Sequence, residues 1–287
     1  MPEALNNPAA VGGKRTLIKL VAGLVLLAML VSFSVRYGDV LRMVTVAQVA
    51  IATLISIVII LLNGVVGYRT LTLVAGKIAL RDVINVTALS SFANALGGLP
   101  IGIVYKFHIF RQKSELPASS ILTGLVYFTG LNVASLLGIA GLTSPWKVLL
   151  VPLLMSWVLP WLPGIRRLPG LAGFNWKTHA GNCLLSLVVS TTMILCYLAL
   201  MGNHCSDVAC YVEQAGVTAV GLSLNFLVNG QSLGGVSELT MGIAGFLHGA
   251  DLLRGVELAI IIRLSTLLAA TCLLGVLKLV YGKSHLL

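Results

Sequence analysis

From Val46 to Val66 the chain runs without a single charged side chain, and comparable apolar runs recur at Ile121–Leu142 and Leu184–Met201. Val256–Val280 is a fourth long apolar stretch, interrupted by Glu257, Arg263 and Lys278. Each is close to the roughly 20 residues that an α-helix needs to cross a hydrocarbon core. Composition agrees. Only 10% of the 287 residues are charged, against about 25% in a soluble domain, and the mean hydropathy is +0.99. The reading is an all-α integral membrane protein. A net charge of +10 would direct a soluble protein toward nucleic acid. Here it fits cytoplasmic loops facing anionic lipid headgroups, and no nucleic-acid partner is expected.

Residues 1–13, rich in Pro, Asn and Ala, read as a disordered cytoplasmic tail, and 14–287 as one polytopic membrane domain. Lys14, Arg15 and Lys19 precede the apolar run Leu20–Val35, after which no small-residue cleavage site follows. That pattern predicts an uncleaved first span with the amino terminus in the cytoplasm. Tyr68–Arg81 carries Arg69, Lys77 and Arg81 among leucines and reads as an interfacial helix. Val148–Leu162, with Pro152 and Pro160, reads as a short, kinked span. Trp146, Trp157, Trp161 and Trp176 fall near span ends, as interfacial anchors do.

Two apolar segments are broken in their middles. Val83–Phe110 contains Asn94, Gly97, Gly98, Pro100 and Gly102. The stretch from Asn225 onward carries Asn229, Gly230, Gln231, Ser232, Gly234, Gly235 and Glu238 inside an otherwise hydrophobic region. Breaks at membrane depth are tolerated where protein or a water-filled cavity covers them. Both segments are therefore expected to be re-entrant hairpins, at about 83–110 and 217–247. Charge supports this. With both hairpins entering and leaving on one side, Lys14, Arg15, Lys19, Arg69, Lys77, Arg81, Lys106, Arg111, Lys113, Arg166, Arg167, Lys177, Lys278 and Lys283 gather on the cytoplasmic side. Only Arg36, Arg42, Lys147 and Arg254 face outward, as the positive-inside rule requires. The expectation is about six transmembrane helices plus two oppositely oriented hairpins.

The hairpins are weakly alike: Ser91 to Gly98 can be laid on Asn225 to Gly235, pairing Asn94 with Asn229 and Gly pair with Gly pair. Opposed, matched broken segments form an inverted repeat, the sequence pattern that points to a transport site at the repeat interface. Gly234-Gly235-Val236-Ser237-Glu238, Arg263 within Ile260–Leu264, and Asn94 through Lys106 with Pro100 and Gly102 carry a further likeness. On these residues the chain, from about Val46 onward, resembles the lysylphosphatidylglycerol synthase transmembrane-domain family, which includes flippases. The family's proline-rich lead-in to the second Gly pair is replaced by Asn229-Gly230-Gln231-Ser232, and Ile103 stands where an acidic residue is expected. No aminoacyl-transferase domain accompanies the membrane domain, so synthesis of lysyl lipid is not expected of this chain.

The resemblance implies a bacterial cytoplasmic-membrane protein that moves a lipid, either a phospholipid or a polyprenyl-linked headgroup, between leaflets. Candidate substrate-binding residues are Glu238, Arg263, Asn94, Asn229, Gly98, Gly234, Gly235, Lys106 and Arg111. Glu238 and Arg263 are expected to neutralise one another, either as a headgroup site or as a structural ion pair. The asparagines could serve a phosphate or satisfy freed helix ends. Lys106 and Arg111 could draw anionic lipid or simply obey the positive-inside bias. No Ser-His-Asp set, metal motif, P-loop or nucleotide fingerprint occurs at workable spacing, so neither catalysis nor a cofactor or metal is expected. Two rivals stand beside transport: a scaffold or regulatory membrane subunit, and an enzyme of a polyprenyl-linked sugar pathway. A homo-oligomer is left open. Cys205 and Cys210 share one polar loop, and whether they form a disulfide is left open, an oxidising compartment being the condition for it.

Overall fold

The computed structural model describes residues 45–75, 78–96, 101–113, 117–143, 147–158, 175–201, 207–229 and 252–281. Among them every regular element is helical. In chain order these are α1 (Val46–Ala75), α2 (Leu80–Leu96), α3 (Ile101–Lys113), α4 (Ala118–Thr143), α5 (Leu150–Val158), α6 (Trp176–Met201), α7 (Val208–Asn229) and α8 (Leu252–Tyr281), with a 3-10 turn, Lys147–Leu149, leading into α5. Four stretches are long and apolar enough to cross a membrane: Val46–Leu73, Ala118–Thr143, Trp176–Leu200 and Ala259–Tyr281. This is the character of a multi-pass helical membrane protein.

The helix ends follow local chemistry. Thr45 and Gln48 form a reciprocal capping box at the start of α1: the Thr45 hydroxyl accepts from the Gln48 N–H, and Gln48 Oε1 accepts from the Thr45 N–H. Asn175 Oδ1 accepts from the Lys177 N–H at α6, and Asp207 Oδ1 from the Cys210 N–H at α7. At the other end of α4, Lys147 Nζ donates to the Gly141 and Leu142 carbonyls, where a cation also suits the helix dipole.

Packing is inside-out relative to a soluble bundle. Along α6, Leu184, Val188 and Leu195 are exposed, while His179, Asn182, Ser186 and Ser190 are each 0% exposed on the opposite face. In lipid the outer face needs no polarity, so polar side chains turn inward to find partners. Close approach is bought with glycine at α4: a Cβ on Gly138 would stand 2.8 Å from Leu153 Cβ, and one on Gly141 2.8 Å from the Leu150 nitrogen. These contacts seat the short α5 against α4.

The α2–α3 pair doubles back. Val83 and Val86 in the first half of α2 share one apolar cluster with Phe110 near the end of α3, Leu71 of α1 and Ile121 of α4. The opposite end of α2 packs deeper: Ala88 and Phe92 join Ile60 of α1 and Ala269 and Ala270 of α8. At ~1.5 Å per residue both helices are shorter than a bilayer crossing.

One expectation changes. Tyr68–Arg81 is not a separate interfacial helix, because α1 continues unbroken to Ala75 and α2 begins at Leu80. Arg69 does not end α1 because its Nε donates to Asn182 Oδ1 across the bundle at 2.9 Å. The segment expected as a kinked span is helical from Lys147 to Val158, and its remainder, with Pro160, lies outside the described residues. Finally, Cys210 is disulfide-bonded, whereas Cys183, Cys196 and Cys272 are free. Cys205 lies outside the described residues, as do the tail 1–13, the run Leu20–Val35 and the second broken segment beyond Asn229.

Candidate functional site

The tip of the α2–α3 hairpin is held from two directions. Asn94, in the last turn of α2, accepts the Gly102 N–H through Oδ1 at 3.0 Å. Gly102 is the second residue of α3, where backbone donors have no partner within the helix. Asn94 therefore caps α3 across the break. From the other side Arg263, halfway along α8, donates Nε to the Ala95 carbonyl at 2.8 Å. Ala95 is one of the last residues of α2, whose carbonyls lack intrahelical donors. A hydrogen bond from a charged group of this kind contributes ~1.5–3 kcal/mol.

Below the tip, α1, α2, α3 and α4 enclose a partly open cavity of about 20 Å³ whose wall includes Asn63, Thr70, Thr87, Lys106 and Phe128. Its size exceeds the ~10–15 Å³ that one water requires. Lys106 is partly buried, with Nζ 5.7 Å from the centre of the Phe128 ring. Among the described residues that ammonium meets no carboxylate. A cation–π contact gives roughly 0.5–2 kcal/mol, less than the several kcal/mol that withdrawing an ammonium from water costs. Asn63 Oδ1 and Thr70 Oγ1 are buried with no hydrogen-bond partner. The surface that the cavity exposes is almost wholly apolar, and Lys106 is the one cation among its described lining residues.

A second polar region follows the inward face of α6. His179 Nε2 lies 3.1 Å from the Ser156 carbonyl, which can only accept, so Nε2 carries the proton. In the neutral ring Nδ1 then accepts the Tyr127 hydroxyl. Trp157 and Trp176 meet edge to face at 5.6 Å between ring centres and both lie against His179. One turn on, the Arg69 guanidinium covers Gly181, leaving no room for a Cβ there. Deeper still, Ser186 donates to Asn132 Oδ1 at 2.7 Å. These bonds join α1, α4, α5 and α6 in one seam.

Of the residues nominated from sequence, Asn94 and Arg263 come together at the hairpin tip, through Asn94's own cap and the neighbouring Ala95 carbonyl. Lys106 lies one turn beyond Gly102 on α3, and Arg111 is exposed near that helix's end. Gly98, Gly234, Gly235 and Glu238 lie outside the described residues, and Asn229 is seen only as the last helical residue of α7. Sequence reasoning missed Asn63, Thr70, Tyr127, Asn132, His179 and Asn182. The 179, 182, 186, 190 spacing was a usable signal for the seam, because it marks one face of an otherwise apolar helix. Among the described residues no group of three or more His, Cys, Asp or Glu could hold a metal ion. No protein-family model, curated protein or solved structure matches the chain. The family resemblance accordingly rests on the motif residues alone.

Proposed function

We propose that this chain is a lipid transporter of a bacterial cytoplasmic membrane. It moves a phospholipid or lipid-linked headgroup between leaflets through a polar cavity between two opposed re-entrant hairpins, and it performs no catalysis. The observation that carries the reading is the α2–α3 pair: two helices too short to cross, doubled back among longer apolar helices, with a lysine-lined cavity beneath their tip. Broken helices of this kind line substrate sites in secondary transporters. The bonded Cys210 at the start of α7 supports the orientation, since disulfides persist in oxidising compartments. About six spans and a cytoplasmic amino terminus would set the segment between α6 and α7 outside, the side on which a disulfide persists. The resemblance to flippase-type membrane domains points the same way.

The test is a leaflet-resolved assay in proteoliposomes with a panel of labelled phospholipids and a polyprenyl phosphate. The parent protein should accelerate movement of at least one lipid over protein-free vesicles, and Glu238→Gln should slow it. A folded, correctly inserted parent that moves none of the panel would remove transport and favour the scaffold.

A further inference from the structure

The geometry points to a binding site for the phosphate of an anionic phospholipid where α1 meets α6, with Arg69 as its main contact and Lys177 as a second cation. Arg69 lies in the apolar stretch Val46–Leu73, one turn from its end, a depth at which an ionised group calls for a partner. Its Nε donates to Asn182 Oδ1 at 2.9 Å, and Asn182 is itself fully buried. The guanidinium rests on Gly181, where a Cβ would not fit. This bond and this contact hold it against α6 instead of leaving it free to reach for water. The Nη N–H bonds remain. They meet no acceptor, Arg69 forms no ion pair, and neither Nη is sealed off from the surroundings of this half-buried side chain.

Lys177 stands one helical turn before Gly181 and so shares its face of α6. It is exposed and, like Arg69, has no carboxylate partner. The two helices run antiparallel, since Arg69 reaches Asn182 while Ala52 clusters with Ile194 and Tyr197. Lys177 therefore lies beyond Arg69, toward the edge of the membrane. Trp157 and Trp176 pack together against His179, about one turn before Asn182, and such aromatic pairs mark the headgroup level. The unused guanidinium edge thus sits just below the headgroups, and the oxyanion met there in a bilayer is the lipid phosphodiester. Two of its oxygens match the planar fork of an arginine. Lys177, nearer the water, favours a headgroup that carries no cation of its own, because an ammonium would meet it with like charge. Basic pockets between membrane helices hold anionic headgroups in this way. Free inorganic phosphate offers the same oxygens, and the experiment separates the two sources. The site stands apart from the cavity beneath the hairpin tip and does not rest on the transport reading.

The experiment uses the full chain, delipidated in a nonionic detergent, with its thermal midpoint followed by tryptophan fluorescence. It is titrated separately with phosphatidylglycerol and phosphatidylethanolamine in mixed micelles, and with inorganic phosphate. Ligand binding to the folded state raises the midpoint with concentration and yields an apparent Kd. Phosphatidylglycerol should bind the parent most tightly. Arg69→Gln should weaken that affinity by at least about tenfold, the loss expected for one charged contact. Arg69→Lys, which keeps the charge but not the fork, should fall between the two. Lys278→Gln removes an exposed cation at the far end of α8 and should leave the affinity unchanged. Equal responses of parent and Arg69→Gln, or a loss in Lys278→Gln as large as in Arg69→Gln, would overturn the site. Protection by phosphatidylethanolamine equal to that by phosphatidylglycerol would overturn the anionic preference, and protection by inorganic phosphate alone would overturn the lipid source. If Arg69→Gln does not fold, Lys177→Glu decides. It reverses an exposed charge without touching the Asn182 bond, and undiminished affinity there also overturns the site. Detergent has no leaflets, so Arg69-dependent binding stands whether or not the protein moves lipid in vesicles.

Discussion

At Gly102 a hydrogen stands where any other residue carries at least a methyl group. A Cβ there would fall on the Asn94 amide and only 2.6 Å from the Ser90 carbonyl oxygen, so side chain and backbone both close the space. The amide could swing away, but the carbonyl belongs to a helix turn and cannot. Gly102→Ala should therefore lower stability by ~1–3 kcal/mol, the usual cost of overpacking a well-filled contact. Asn94→Ala, which removes only the cap, should cost about 0.5–2 kcal/mol. Because the two residues touch, their effects should not add: the double variant should be more stable than the summed losses predict. Thermal or denaturant unfolding of the three proteins in one detergent measures this. Strict additivity would mean that the two residues do not share the tip.

Helices carry the next level of argument, and Arg263 links two of them. With its Nε on the Ala95 carbonyl, α8 holds the end of α2 in place. Arg263→Gln should release that carbonyl at a cost of ~1–3 kcal/mol. It should also speed amide exchange in a peptide covering residues 88–96, with the start of α2 unaffected. Unchanged exchange at the tip would show that α8 does not hold it. The break between these helices was legible in the sequence, because Gly97, Gly98 and Pro100 punctuate an apolar run, and α2 ends at Leu96 while α3 starts at Ile101. The length of α1 was not. Arg69 looked like the edge of the membrane, and the asparagine that receives its hydrogen bond is 113 residues away. The site divided along the same line. Lys106 was visible by its charge, but Asn63 and Thr70 lie on one helix and Thr87 on another, and only the fold brings them to one wall.

Along the described apolar helices, large hydrophobic side chains are exposed and many polar ones lie inside, so the membrane fixes sidedness wherever the chain leaves it. Cysteines introduced beside Lys77, Arg111 and Arg167 should react with an impermeant reagent only from the cytoplasmic side, and those beside Trp146, Asp207 and Asp251 only from outside. Labelling of the Lys77 and Arg111 sites from opposite sides would make the first hairpin a true crossing and dissolve the inverted repeat. The inward polar face of α6 has a further consequence, for biosynthesis. Its cross-helix hydrogen bonds run to Arg69, Tyr127, Asn132 and Ser156, all of which lie earlier in the chain. When the ribosome delivers His179, Asn182 and Ser186 to the bilayer, their partners have already been made. The helix enters a membrane in which its docking surface is waiting, and it need never dwell alone in lipid.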